Sequence, residues 1–146
     1  MTLQEMKELV HRHDDDVINR KDLSVLERDL AADFFDHGAA PGAPQGAEGA
    51  RAWLSALHRA FPDVRSSIED TIAEGDRVVV RKRWTGTHNG QFQGMAPTGK
   101  AVAFEGIVIW RIHNGKLAER WATIDRLGLF QALDASPPRV AVVPPV

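Results

Sequence analysis

The stretch "GKLAERWATIDRLGLF", Gly115 to Phe130, decides how this chain is read. Side chains along a strand repeat with period two. If extended, the stretch puts Leu117, Glu119, Trp121, Thr123 and Asp125 on one face and Ala118, Arg120, Ala122 and Ile124 on the other. An acid then stands in line with an indole at the end of a strand. Two readings of Asp125 follow. As a preferred N-cap residue it starts the helix signalled by "RLGLF". Aimed into an apolar pocket, its carboxyl loses water and becomes a usable proton carrier. The second reading carries an expectation: a side chain turned inward points away from the amides that begin the helix.

Working outward, "HNGK" joins this strand to a long extended run from Ala101 to His113, and its Asn-Gly pair is a strong hairpin signal. Two more extended runs, Val64 to Ala73 and Asp76 to His88, are joined through "EGD". Between the pairs lies "NGQFQGMAPTG", too long and too rich in Gly and Pro for a tight turn. It reads as a flap over a pocket mouth, carrying the apolar Phe92 and Met95. One register of the second run holds Val78, Val80, Lys82, Trp84, Gly86 and His88; its opposite face holds Val79, Arg81, Arg83, Thr85 and Thr87. In the third run Val102, Phe104, Val108, Trp110 and Ile112 form an apolar row that reads as core.

The N-terminal half has helical spacing. Leu3, Met6, Leu9, Val10, Val17 and Ile18 mark a helix from Thr2 to about Asn19. Leu23, Leu26 and Leu30 mark a second from Leu23 to Ala32, with Asp22 as its N-cap. A third spans Ala47 to Ala60 and is stopped by Pro62. It presents Ala50, Trp53, Leu54 and Leu57 on one side, with Trp53 as a candidate pocket wall. "ADFFDHGAAPGAPQGAEG" reads as a loop in which His37, after two phenylalanines and before Gly38, can point into a pocket. Leu127 to Leu133 forms a short terminal helix. Three helices followed by long antiparallel strands predict an α+β domain, its curved sheet bent into a half-open cone with a natural cavity. Residues 1–134 read as one domain and 135–146 as a Pro-rich tail.

Composition narrows the function. With 146 residues there is room for one core and one modest cavity. Eighteen basic side chains against 20 acidic ones, with no dense Lys/Arg run, argue against a nucleic-acid surface. The absence of cysteine excludes disulfides, thiolate ligands and cysteine nucleophiles. No stretch approaches membrane-spanning length and no apolar leader opens the chain, so a cytoplasmic protein is expected. His11 and His13 stand two apart on a helix, which turns their rings to different faces, and no metal motif is present. Nucleotide loops and serine elbows are also missing. One well-placed acid, several histidines and aromatic walls suit proton transfer to and from carbon without a cofactor.

"AFPD" at 60–63, "EGDRVVVR" at 74–81, "GTHNGQFQGMAPTGK" at 86–100, and Trp121 with Asp125 give the chain a family resemblance. It resembles the SnoaL-like polyketide cyclases, also called ester cyclases, of the nuclear-transport-factor-2-like superfamily. The resemblance implies a cone-shaped α+β barrel, with a strongly curved antiparallel sheet packed against three N-terminal helices. It implies intramolecular aldol-type ring closure of a small hydrophobic or aromatic carbonyl compound, with no metal or organic cofactor. Asp125 matches the acid-base aspartate, and His37 and His88 are its candidate catalytic partners. Trp53, Trp84, Phe92, Met95 and Trp121 are candidate substrate-lining groups. A ketosteroid-isomerase-like site is disfavoured because the chain has no tyrosine. The alternative to an enzyme is a domain that binds a small molecule without converting it. A homodimer is expected in either case, because the mixed outer faces of the middle strands need cover.

Overall fold

A computed structural model describes residues 1–133; the tail expected over 135–146 lies outside the described residues. The first helix, α1 (Leu3–Asp14), opens with a capping box: the Thr2 hydroxyl accepts from the Glu5 amide and the Glu5 carboxylate accepts from the Thr2 amide. Such caps stabilise a helix by about 1 kcal/mol. α1 runs directly into a π-helical turn, Asp15–Asn19, which puts the adjacent Val17 and Ile18 both into the core.

A 3₁₀ turn (Leu23–Val25) and one helical turn, α2 (Leu26–Asp29), follow. The helix expected up to Ala32 therefore stops at Asp29. Leu30–Asp36 is instead a strand, β1, whose pairing with a sheet edge outweighs the helical spacing of Leu23, Leu26 and Leu30. The remaining elements are α3 (Gly46–Ala60), β2 (Arg65–Glu74), β3 (Arg77–Thr87), β4 (Ala101–His113), β5 (Lys116–Ile124) and α4 (Arg126–Ala132), all within a residue or two of the sequence reading.

The strands form one sheet in the order β1-β5-β4-β3-β2. β2 to β5 are antiparallel neighbours, whereas β1 lies parallel to β5. The expected antiparallel sheet is thus corrected to a mixed, five-stranded one, and it is not closed: β1 and β2 are its edges. The helices cover its inner face. Val78, Val80, Trp84, Val102, Phe104, Val108 and Ile112 point to that side and are buried, and in β4 these belong to the apolar row read as core.

β5 departs from simple alternation. Arg111 pairs with Glu119, but Ile112 pairs with Leu117, so Ala118 is an extra residue, a β-bulge. Leu117, fully buried, faces the helices. Beyond the bulge the inward row is Arg120, Ala122 and Ile124, while Trp121 and Thr123 face outward.

Candidate functional site

A cavity lies between the inner face of the sheet and α3. Its outer chamber, about 220 Å³, is walled by Trp53 and Leu57 of α3, Trp84 of β3, Phe104 of β4 and Ala122 and Ile124 of β5. Gln91, Phe92 and Gln93 of the flap, with Arg126 of α4, line it too. An inner chamber of about 60 Å³ continues toward α1 and is lined by His13, Asp14, Lys82 and Trp110 among others. The chambers share Asp36, Trp53, Trp84 and Arg120.

The aromatic walls are fixed by packing. Trp84 is 1% exposed and stacks on Phe104 with ring centroids 5.3 Å apart and planes 10° from parallel. Gly106 makes room for this: a Cβ there would lie 2.9 Å from the Trp84 ring. Phe92 holds the flap against the core through Phe61, at 5.3 Å between ring centroids. The flap's base is tied by the Asn89 and Gly90 amides, which both donate to the Ala60 carbonyl at 3.1 Å.

Two ion pairs put charge into this apolar space. Arg120 Nη1 donates to both Asp36 oxygens, at 3.2 and 3.1 Å, and its guanidinium lies 5.7 Å from the ring centres of both Trp53 and Trp110. Asp36 Oδ1 also accepts from the Gly38 amide at 2.8 Å. Deeper in, the Lys82 ammonium pairs with Asp14 and stands 4.5 Å from the Trp84 ring centre. Burial pulls Lys82 below the ordinary lysine range, and Asp14 opposes that shift. Asp14 Oδ2 accepts from the Ser66 hydroxyl at 2.7 Å.

Of the residues singled out from the sequence, Trp53, Trp84 and Phe92 line the cavity. Met95 does not: it packs on the core and pairs with Phe92 across the flap turn. Trp121 does not either. It stands on the outer face of β5, stacked on His37 at 4.8 Å and 5° from parallel, with the Arg77 guanidinium 4.7 Å from the Trp121 ring centre. His37 shares that outer face, where Nε2 donates to Glu119 at 2.5 Å, so it does not reach the cavity. Hydrogen bonds from His37 and Arg111 hold Glu119 below the usual carboxylate range. The physical reason is alternation along each strand: beyond the bulge the inward row of β5 is the even one, which turns Trp121 out, and His37 follows Asp36, which takes the cavity side at the end of β1.

His88 is fully buried beside Phe61 and outside the cavity lining. Its Nδ1 accepts from the Thr98 amide at 3.2 Å, closing the flap's base, which makes it a structural clasp. Asp125 caps α4. Its Oδ1 accepts from the Gly128 amide at 2.9 Å and the side chain is exposed. The expectation that it would turn away from the helix amides is not met. Asp is a strong N-cap residue, and Gly128 leaves space for the carboxylate, since a Cβ there would lie 2.3 Å from Oδ2. Asp125 is not among the cavity-lining groups, although its chain neighbours Ile124 and Arg126 are.

The sequence reading missed Asp36, Arg120, Asp14 and Lys82 as cavity groups. Two signals were available: a lysine in the apolar register of β3, and an arginine in the small-residue row Ala118, Ala122. His11 and His13 do diverge: His11 bonds Thr71 at the surface, at 2.6 Å, while His13 is buried. Among the described residues no group of three or more His, Asp or Glu side chains is placed to hold a metal ion.

The family model of the SnoaL-like polyketide cyclases matches residues 8–133. No curated protein matches the chain. Among solved structures, TsrD from Streptomyces laurentii superposes with a TM-score of 0.85 at 25% identity, over 93% of this chain and 99% of that one. AclR from Streptomyces galilaeus, a candidate hydroxylase, gives 0.81 at 28% identity, over 93% and 100%. A candidate polyketide cyclase from Bacillus cereus gives 0.76 at 31% identity, over 89% and 80%.

Proposed function

Because the chain belongs to the SnoaL-like polyketide cyclase family, we propose that it is a cofactor-independent acid-base enzyme. Its substrate in this reading is a small aromatic carbonyl compound that undergoes aldol-type ring closure. The observation that carries the reading is Arg120, a guanidinium held by Asp36 and lying 5.7 Å from two indole rings on the wall shared by both chambers. A flat ligand lying along Trp84 would place a carbonyl oxygen against this cation. The developing enolate charge is then stabilised where water is scarce, and the adjoining C–H is acidified. Asp125, beside the lining residues Ile124 and Arg126 in the chain, is the proposed proton carrier. Its Oδ1 is engaged by the Gly128 amide, and Oδ2 takes no hydrogen bond from a described residue. In the reaction the C–H bond breaks toward Oδ2 and the carbanion adds to a second carbonyl carbon. The resulting alkoxide recovers the proton.

The test is deuterium incorporation at the carbon next to the carbonyl of 1-tetralone, a flat bicyclic ketone, in D₂O. Protein-dependent exchange is expected, lost in D125N, which stays folded because Asn caps a helix about as well as Asp. One observation favours a second reading, a binding domain without turnover: both carboxylates lining the cavity, Asp36 and Asp14, are ion-paired. Binding of 1-tetralone with exchange no faster than in buffer would establish that reading instead.

We also propose a homodimer in which a second copy covers the outer sheet face. Ile107, 49% exposed, stands there with Ile109 and Trp121 around a shallow depression. The cytoplasm is the proposed compartment, in keeping with a cysteine-free chain.

A further inference from the structure

The inner chamber holds a constellation that the reaction above does not use. His13 and Asp29 are 4% and 1% exposed, and His13 Nδ1 lies 2.8 Å from Asp29 Oδ2. Asp29 also accepts from Arg28, Nε to Oδ1 at 2.7 Å and Nη2 to Oδ2 at 3.1 Å, while Arg12 Nη2 stands 3.5 Å from Oδ1. Burial alone would raise the Asp29 pKa. The hydrogen bonds from His13 and Arg28 outweigh burial and hold it well below the carboxylate range.

Asp29 is therefore a carboxylate, and a carboxylate only accepts. The proton between the pair belongs to Nδ1, which leaves Nε2 as the ring nitrogen turned away from Asp29. Nε2 takes no hydrogen bond from a described residue. The ring is a wall of the inner chamber, whereas Asp29, which Nδ1 faces, is not. Around that chamber every other charge is already matched, Asp14 with Lys82 and Asp36 with Arg120. His13 Nε2, with no hydrogen-bond partner among the described residues, stands on the wall of the inner chamber, beyond Trp84 and Arg120, which border both chambers.

We propose that His13, oriented by Asp29, is a hydroxyl-recognition subsite. It accepts the hydrogen of a phenol or enol at the leading end of a flat ligand whose rings occupy the outer chamber. This rests on the cavity being the ligand site, and it narrows the substrate class to hydroxylated aromatic carbonyl compounds. Trp110, edge-on to the His13 ring at 5.4 Å between centroids, limits the subsite to a planar group.

The experiment is calorimetric titration of the full chain with 2-naphthol and with naphthalene, alongside H13F, which keeps a ring in the wall but removes the acceptor. A net hydrogen bond to a neutral group predicts that wild type prefers naphthol by about 3- to 10-fold, and that H13F has no preference. In parallel, ¹⁵N NMR follows the two ring nitrogens of His13 with and without each probe. The Nε2 resonance of His13 should move with naphthol and stay with naphthalene. Equal affinities for the two probes in wild type, or a preference that survives in H13F, would overturn the subsite while leaving the cavity reading in place. Failure of both probes to bind folded protein would overturn both. Should H13F fail to fold, the wild-type ¹⁵N response decides alone, and an unmoved Nε2 overturns the proposal.

Discussion

Replacing Lys82 with Met tests how the charged floor of the cavity is held. Lys82 is 7% exposed, and its ammonium is the cationic partner of Asp14. Methionine keeps the aliphatic stem against Trp84 but leaves the Asp14 carboxylate, its side chain 13% exposed, with only the Ser66 hydroxyl. Removing one member of a buried ion pair costs about 3–5 kcal/mol, because the other charge stays desolvated. The inner chamber can admit water to Asp14, which places the expected loss near the lower end, about 3 kcal/mol. With a urea m-value of about 2 kcal/mol/M for a domain of this size, the unfolding midpoint should fall by about 1.5 M. The D14N/K82M double variant removes both charges and should recover most of the loss, to within about 1 kcal/mol of wild type. A K82M midpoint within 0.5 M of wild type (about 1 kcal/mol), or a double variant no more stable than the single, would refute this reasoning.

Three further outcomes are expected. Asp29 has a folded-state pKa below its unfolded value, so its contribution is fully present above about pH 4 and is lost as pH falls through the folded value. The stability gap between wild type and D29N should therefore hold steady above about pH 4 and shrink as pH is lowered from about 4 to about 2 in urea titrations, and a gap that stays constant below about pH 4 would contradict it. Sedimentation at micromolar protein should show a dimer that I107D converts to monomer; a wild-type monomer would count against the outer face as an interface. In hydrogen exchange, Gly94 at the flap's tip should exchange faster than Val78 to Val80 at the sheet's centre, and equal rates would rule out a flap that opens.

Much of the fold was legible because its signals are local. The Asn-Gly turn fixed the β4–β5 hairpin, and the apolar row of β4 marked the face that meets the helices, whereas β3 carries polar groups in both registers and did not mark it. β1 was not legible: Leu30 continues a helical spacing, and only pairing with β5, distant in sequence, makes the segment extended. The Ala118 bulge was likewise silent, since parity cannot be read across an inserted residue. That single residue moved Trp121 from the expected cavity to the opposite face. Trp53, Trp84 and Phe92 were found because bulky aromatics beside a curved sheet are a compositional signal. Asp36–Arg120 and His13–Asp29 join elements far apart in the chain, and a pair of that kind leaves no spacing to recognise.

The most direct test of the central claim is a crystal structure of the full chain soaked with 1-tetralone. The account predicts the bicyclic ring against Trp84 in the outer chamber, with its carbonyl oxygen within hydrogen-bonding reach of the Arg120 guanidinium. A ligand seated on the outer sheet face against Trp121 and His37, or one bound in the cavity with its oxygen turned away from Arg120, would contradict it.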